Sequence, residues 1–315
     1  MSTNGYSGLA GRKKPAPQCG FFCACVLTLR LFSSGISAAP AGSVAEIIVA
    51  SYNVENYTLT GSDRTRIKTV GAREAVADVI AEVRPDVLGL CEVGSPDALE
   101  DLRERLKKKG TSLPYTEYVD GPDPERHLAL LSRFPLASRQ SRVRVPYELN
   151  GAPELVRRGF LDVIVQVNPQ YTLRLVGVHL KSKLPVPAGE TLVRRMEARA
   201  LRTLVDGILL EDPRANLLLY GDFNDTKDES SIRGILGQRG QPNSLSDLPA
   251  EDPGGDRWTH YRFFTDVYAR IDFLMVNRAL RPEMVPGSAR VNNSPQWRKA
   301  SDHRLIHAAL VPQDR

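Results

Sequence analysis

Short apolar runs and longer amphipathic ones take turns along the chain, and their periods differ. Residues 46–54 are rich in Ile, Val and Ala and read as a strand. Val87–Val93 is a second such run. Between them, residues 66–83 place Val70, Ala77 and Ile80 at helical spacing, which predicts a helix with one apolar face. Further strands are predicted at 127–131, 159–167, 172–180, 216–220, 258–262, 269–276 and 305–310. In 159–167 the residues Val163, Val165 and Val167 alternate with Asp162, Ile164 and Gln166, the period of a pleated strand.

Two more helices have clear ends or faces. Ser95-Pro96-Asp97 supplies a cap, a first-turn proline and an acid at the positive dipole end. Lys107-Lys108-Lys109 and Gly110 close the same helix, so that lysine run reads as a solvated helix end. Residues 189–210 predict a long helix with Val193, Met196, Ala200, Leu204 and Ile208 as its core stripe. Arg194, Arg195, Arg199 and Arg202 lie mostly off that stripe. A shorter helix is predicted at 229–236, and 238–256, rich in Pro, Gly, Ser and Asp, reads as a long surface loop. With no internal repeat and no second linker, this alternation predicts one α/β sandwich domain over 47–312.

The N-terminus changes the charge of the molecule. Arg12-Lys13-Lys14 precedes a mostly apolar run from Cys19 to Phe32, and Ser37-Ala38-Ala39 follows. Residues 1–39 therefore read as a secretory signal peptide and 40–46 as a linker, which implies a secreted or periplasmic protein. That segment carries four basic residues and no acidic one. Without it, 38 Lys+Arg face 37 Asp+Glu and the formal net charge falls from +5 to +1. A nearly neutral protein lacks the global positive field of a non-catalytic nucleic-acid binder. Cys19, Cys23 and Cys25 leave with the leader; Cys91 remains alone, unable to form an intramolecular disulfide and expected to be buried.

Against this regular pattern, polar residues recur where apolar runs end. Asn53 and Glu55 close the first strand, Glu92 the next, and His179 the run Val176-Gly177-Val178. Asp222, Asn224 and Asp225 follow Leu217-Leu218-Leu219-Tyr220; Asp272 interrupts an apolar stretch; Ser301-Asp302-His303 precedes the last strand. Any one of these fits a turn or a satisfied side chain. A carboxylate at the end of a buried strand, however, needs a cation. Together, the oxygen donors Glu92, Asn53 and Asp302 suit Mg²⁺, with Mn²⁺ or Ca²⁺ as substitutes. His303 beside Asp272 suits a general base, and His179 a proton donor. This is the equipment of metal-assisted phosphoester cleavage.

The motifs YNVEN, CEV, VHLKS, GDFND, RIDFLMVN and SDHR, in this order between residues 51 and 304, resemble the endonuclease/exonuclease/phosphatase superfamily, its deoxyribonuclease-like branch in particular. The resemblance implies a four-layer α/β/β/α sandwich of two stacked mixed sheets flanked by helices. It implies Glu92 as the main metal ligand with Asn53 and Asp302 in support, and Asp222 and Asn224 orienting nucleophile and phosphate. It further implies Asp272 and His303 as the dyad that activates water, and His179 as the second histidine. Two looser matches make Arg158 phosphate-binding and Glu125 the partner of His179, with a surface charge as the alternative for each; Lys181 or Lys183 would add charge at the phosphate.

The expected activity is thus a divalent-metal-dependent phosphodiesterase, secreted, monomeric and acting on nucleic acid. The alternatives are a lipid or small-molecule phosphoesterase and a non-catalytic binding protein on the same scaffold. Neither DNA versus RNA nor endo- versus exo-cleavage is written in these motifs, and no apolar membrane-contacting loop is evident.

Overall fold

The computed structural model describes residues 45–63 and 65–315, and the compact unit spans Ser43–Arg315. The leader at 1–39, most of the linker at 40–46 and Cys19, Cys23 and Cys25 lie outside the described residues.

The chain begins with β1 (Ile47–Tyr57), α1 (Val70–Val83), β2 (Val87–Val93), α2 (Pro96–Lys108), β3 (Tyr115–Val119) and β4 (His127–Ser132). It continues through β5 (Leu136–Arg139), the β6 (Pro146–Leu149) and β7 (Ala152–Leu155) hairpin, β8 (Leu161–Asn168), β9 (Tyr171–His179) and α3 (Glu190–Glu211). Then come β10 (Leu217–Asp222), α4 (Ser230–Leu236), β11 (Ser246–Asp247), β12 (His260–Arg262) and β13 (Val267–Ala269). The last elements are β14 (Asp272–Val276), β15 (Arg290–Val291), α5 (Trp297–Ala300) and β16 (Ile306–Leu310).

Two six-stranded mixed sheets result, ordered β15-β16-β1-β2-β4-β3 and β11-β14-β10-β9-β8-β5. Each is built on one parallel pair, β1 with β2 and β9 with β10, flanked by antiparallel neighbours. Three apolar clusters separate four layers. Val49, Cys91, Leu130, Leu175, Leu218, Tyr220, Leu274 and Ile306 fill the space between the sheets. Tyr52, Ile80, Leu88, Leu90 and Leu102 pack the first sheet against α1 and α2. Val178, Leu201, Val205, Leu219, Ile232 and Phe273 pack the second against α3 and α4. The pleat sorts these sets: in β2, Leu88 and Leu90 face helices while Val87 and Cys91 face the other sheet. The sheets approach so closely at Gly89 that a Cβ there would lie 1.9 Å from the Tyr220 ring.

Several elements differ from the sequence pattern. The first helix starts at Val70, capped by Thr69, because the stretch before it is used otherwise: Lys68 N bonds Thr58 O, and the Lys68 ammonium donates to Glu55 O. The predicted strand at 269–276 is two strands, parted where Thr259 Oγ1 accepts from both Ile271 N and Asp272 N. The loop at 238–256 is not a surface loop throughout. Leu245, Leu248, Ala250 and Asp252 are buried, β11 pairs with β14, and Asp252 holds Arg304 at 2.7 Å. On α3, Arg194 and Glu197 are buried while Met196 and Ala200 are only half-buried. The strands β3, β5, β6 and β7 went unpredicted because they are short, half-exposed edge or hairpin pieces.

Candidate active site

The alternation that fills the inter-sheet core also places the polar residues at its end. On β10 the inward face runs Leu218, Tyr220, Asp222; on β9, Leu175, Gly177, His179; on β14, Leu274 and then Asp272. Asp222 is in register with His179 on one side and Asp272 on the other, so the three stand side by side on adjacent strands. Asn53 ends the same face of β1 across the layer. One pleat beyond the hydrophobic core is therefore a polar floor.

Backbone irregularities aim the rest. β1 bulges between Asn53 and Tyr57, and β2 between Cys91 and Val93. Glu55, Asn56, Glu92 and Asn224 adopt left-handed φ of 44°, 48°, 67° and 55°. Each such residue costs on the order of 1–3 kcal/mol, strain of the kind that gathers at sites of function. Gly221 at φ 137° has no alternative, since a Cβ would lie 2.0 Å from Val178 O.

Glu92 accepts from Asn56 N at 2.9 Å and from Asn53 Nδ2 at 3.2 Å, with Arg126 Nε 3.7 Å away. Asn53 Nδ2 also donates to Asp222 Oδ2 at 3.0 Å. Its own oxygen accepts from Glu55 N at 3.0 Å, and a backbone N–H can only donate, so this orientation is fixed. Asn53 therefore bridges two carboxylates, where the sequence reading had it offering an oxygen to the cation. Asn224 braces Asp222 from the other side: its N–H reaches Oδ1 at 2.8 Å and its amide reaches Oδ2 and Leu180 O.

His303 Nδ1 lies 2.8 Å from Asp272 Oδ2. Ser301 Oγ holds the segment, accepting from His303 N and donating to Asn53 O. The other nitrogen, Nε2, is 3.7 Å from Asp222 and 4.0 Å from Asp302, beyond direct hydrogen bonds and within reach of a bridging water. Burial alone would lower the His303 pKa; the carboxylates of Asp272 and Asp222 outweigh it and lift the imidazole well above its ordinary value. His179 is the opposite. Burial, then the charges of Arg158 and His303, hold it well below. Its Nε2 stands 3.5 Å from Asp222 and 3.8 Å from Glu92.

Glu125 is not the partner of His179. Its carboxylate takes a hydrogen bond from Ser62 and lies near Arg126, while His179 Nδ1 is buried with no hydrogen-bond partner among the described residues. Arg158 is buried, lines the cleft and is ion-paired with Asp123 at 3.1 Å, in a geometry other than a hydrogen bond. Lys181 also lines it, but its ammonium is folded onto Ser182 and Leu184 carbonyls.

Glu92, Arg158, His179, Lys181, Asp222, Asn224, Asp302 and His303 thus border one cleft of about 730 Å³. Asp225, by contrast, is structural: it pairs with buried Arg194 at 2.8 Å and accepts from Ser231. Sequence reasoning missed His260, whose ring lies tilted against His303 with centroids 4.5 Å apart, and Glu197, a fully buried carboxylate accepting from Lys181 N and Arg157 N. The scarcity of histidine was the available signal, for three of the chain's five line this cleft.

The carboxylates fit a cation. Asp222 is pushed up to about 7, by burial first and by Asp272 and Glu92, against the opposing charge of His303. Burial and Asp302 likewise raise Glu55. So many acids in one buried place favour a positive ion among them. Among the described residues, Asp222, Asp272 and His303 form one group able to hold an ion, and His260, Asp302 and His303 another.

The sequence profile of the Endonuclease/Exonuclease/phosphatase family matches residues 50–303. The chain belongs to this family. Its members are phosphoester hydrolases, and the four-layer sandwich is the fold of its solved relatives. Truncated Caenorhabditis elegans TDP2 is similar at 19% identity and TM-score 0.58, over 84% of this chain and 98% of that one. Sphingomyelinase C from Streptomyces griseocarneus gives 16% and 0.61, over 84% and 99%. The human Nocturnin catalytic domain gives 14% and 0.61, over 86% and 95%. At these identities the likeness is one of fold. No curated protein sequence matches the chain. No helix among the described residues is long and apolar enough to cross a membrane.

Proposed function

We propose that this family member is a divalent-metal-dependent phosphodiesterase in which water, activated by His303, attacks phosphorus in line. The observation that carries the proposal is the Asp272–His303 pair, with His303 lining the same cleft as Arg158 and His179. Asp272 fixes the ring and stabilises its charged form, so that Nε2 is positioned to take the proton of water. His179, kept neutral by burial, donates its Nε2–H to a phosphate oxygen, and Arg158 adds charge on the same side. Glu92 and Asp222, tied together by Asn53, would hold Mg²⁺, with Asp302 at the rim. Bound there, the ion supplies positive charge both to the scissile phosphate and against the carboxylates that lift His303.

Nucleic acid is the substrate favoured by the retained His179 and Arg158 and by the cations Arg126, Arg157 and Lys183 on the cleft wall. One observation favours a lipid phosphodiester instead. Phe263 and Phe264, 67% and 93% exposed, and Leu184, 71% exposed, border the cleft, where the sequence suggested no apolar loop. Secretion, proposed from the leader, is compatible with either. The test is to incubate the protein with plasmid DNA, RNA, sphingomyelin vesicles and a bis-aryl phosphate, with Mg²⁺ or with chelator. Turnover abolished by chelator is expected, and the substrate turned over fastest assigns the class. Silence on all four would overturn the proposal.

A further inference from the structure

The cleft carries a second set of ligating atoms whose chemistry differs from that around Glu92. His260 opens β12, and the chain there is laced to the segment 302–304. Tyr261 N bonds Asp302 O at 2.9 Å, Arg304 N bonds Thr259 O at 2.6 Å, and His260 bridges His303 in β fashion. This lacing brings the two imidazole centroids to 4.5 Å, the rings tilted by 44°, and leaves His260 Nε2 3.6 Å from Asp302 Oδ2. On the other side, Asp302 Oδ1 is 4.0 Å from His303 Nε2. One atom from each of the three residues lies within 4.8 Å of the others.

Around a tetrahedral ion with ligands at about 2.0–2.1 Å, neighbouring ligand atoms are about 3.4 Å apart. The His260–Asp302 and Asp302–His303 separations exceed this by about 0.2 and 0.6 Å, through different oxygens of Asp302, and all three residues offer atoms within 4.8 Å of one another, so side-chain rotation has to close the set around an ion. The tautomer is also right. A cation that binds Nε2 displaces its proton and leaves Nδ1–H on Asp272, which is the tautomer this contact holds in the neutral ring. Asp302 is 43% exposed and His260 lines the cleft, so the set is open to solvent ions. Two imidazoles and one carboxylate are borderline donors, suited to Zn²⁺ or Co²⁺. Mg²⁺, which prefers oxygen in an octahedron, belongs with the carboxylates of Glu92 and Asp222.

We infer that His260, Asp302 and His303 form an inhibitory site for zinc-class cations, which shares Asp302 with the rim of the magnesium-type site and differs from it by its two imidazole donors. An ion there takes the Nε2 lone pair of His303, the pair that the proposed reaction uses to accept the proton of water. The inhibitory half rests on the phosphodiesterase reading; the binding half does not.

Co²⁺ titration of the full chain in excess Mg²⁺, followed by visible absorption, tests binding without any turnover. Tetrahedral-type cobalt bands should grow in and vanish on adding Zn²⁺. His260→Gln should need about tenfold more Co²⁺ or lose the bands, as should Asp302→Asn, which serves if the first variant melts early. In parallel, Zn²⁺ should inhibit Mg²⁺-supported hydrolysis of the bis-aryl phosphate. For His260→Gln, referred to its own zinc-free rate, inhibition should need about tenfold more Zn²⁺. Unchanged cobalt affinity in both variants would overturn the site, as would bands lost in Glu92→Gln yet kept in His260→Gln. Cobalt bands without zinc inhibition in an active enzyme would overturn the inhibitory role.

Discussion

His303 and His179 face each other across one inter-sheet layer, 4% and 2% exposed, and both lie within 4 Å of Asp222. Their protons are nevertheless driven in opposite directions. Burial disfavours the charged form of each; only His303 has a carboxylate bonded to its far nitrogen and so overcomes that penalty. His179 has no such anchor, and Arg158 adds positive charge beside it. A site needs both kinds: one imidazole that can accept and hold a proton, and one that stays neutral and donates a hydrogen bond. Second-layer partners, not burial, divide the work.

The largest effect should come from the anchored side. His303→Ala should lower kcat by about 10²–10⁴-fold with an unchanged far-UV spectrum. Asp272→Asn should approach it, since the amide cannot stabilise the imidazolium. Near-wild-type turnover in either would break the comparison. On the other side, His179→Gln should cost about 10²-fold, the loss of one donor to the phosphate, and should leave the shape of the pH–rate profile unaltered. If that shape changes, His179 titrates in the working range and is not the neutral partner.

Between the two stands Asn53. Asn53→Ala removes the bridge between Glu92 and Asp222, so the Mg²⁺ concentration for half-maximal rate should rise by about 10–100-fold, with a smaller change at saturation. An unchanged Mg²⁺ requirement would mean that the bridge does not position the carboxylates.

The smallest effect sharpens the role of burial alone. His307, on β16, has no carboxylate anchor; burial, with the charge of Arg290, lowers it to about 4. The unfolded chain then binds more protons than the folded one between about pH 6.5 and 4. The stability tied to neutral His307 is present above pH 6.5 and is lost as pH falls through that window. His307→Gln should flatten this part of the melting-temperature profile, measured by thermal scans from pH 7 to 4.

Residues whose importance shows as an interruption of a local pattern were legible before folding. Asp272 inside Ile271–Val276, Glu92 after Val87–Cys91 and Asp222 after Leu217–Gly221 break apolar runs, and burial makes a broken run costly. What did not show were partners. Glu125 was expected on His179 and bonds Ser62; Asn53 was expected as a ligand and acts as a donor. Arg194 was placed off the core stripe and is buried on Asp225. Nothing local to positions 125, 53 or 194 encodes which side chain lies opposite. His260 escaped because its neighbours are polar or aromatic, so it interrupts nothing.

By itself, the sequence determined the alternation of strands and helices, the strand ends at which polar groups would sit, and the family to which they belong. These follow from period and order along the chain, which are local properties. Only the tertiary structure decided that β10 runs between β9 and β14, setting His179, Asp222 and Asp272 abreast, and that β1 and β2 deliver Asn53 and Glu92 to the facing edge. Protonation followed from that placement, because a charge buried in a medium of low polarity is governed by its few nearest neighbours, and those come from segments far apart in the chain.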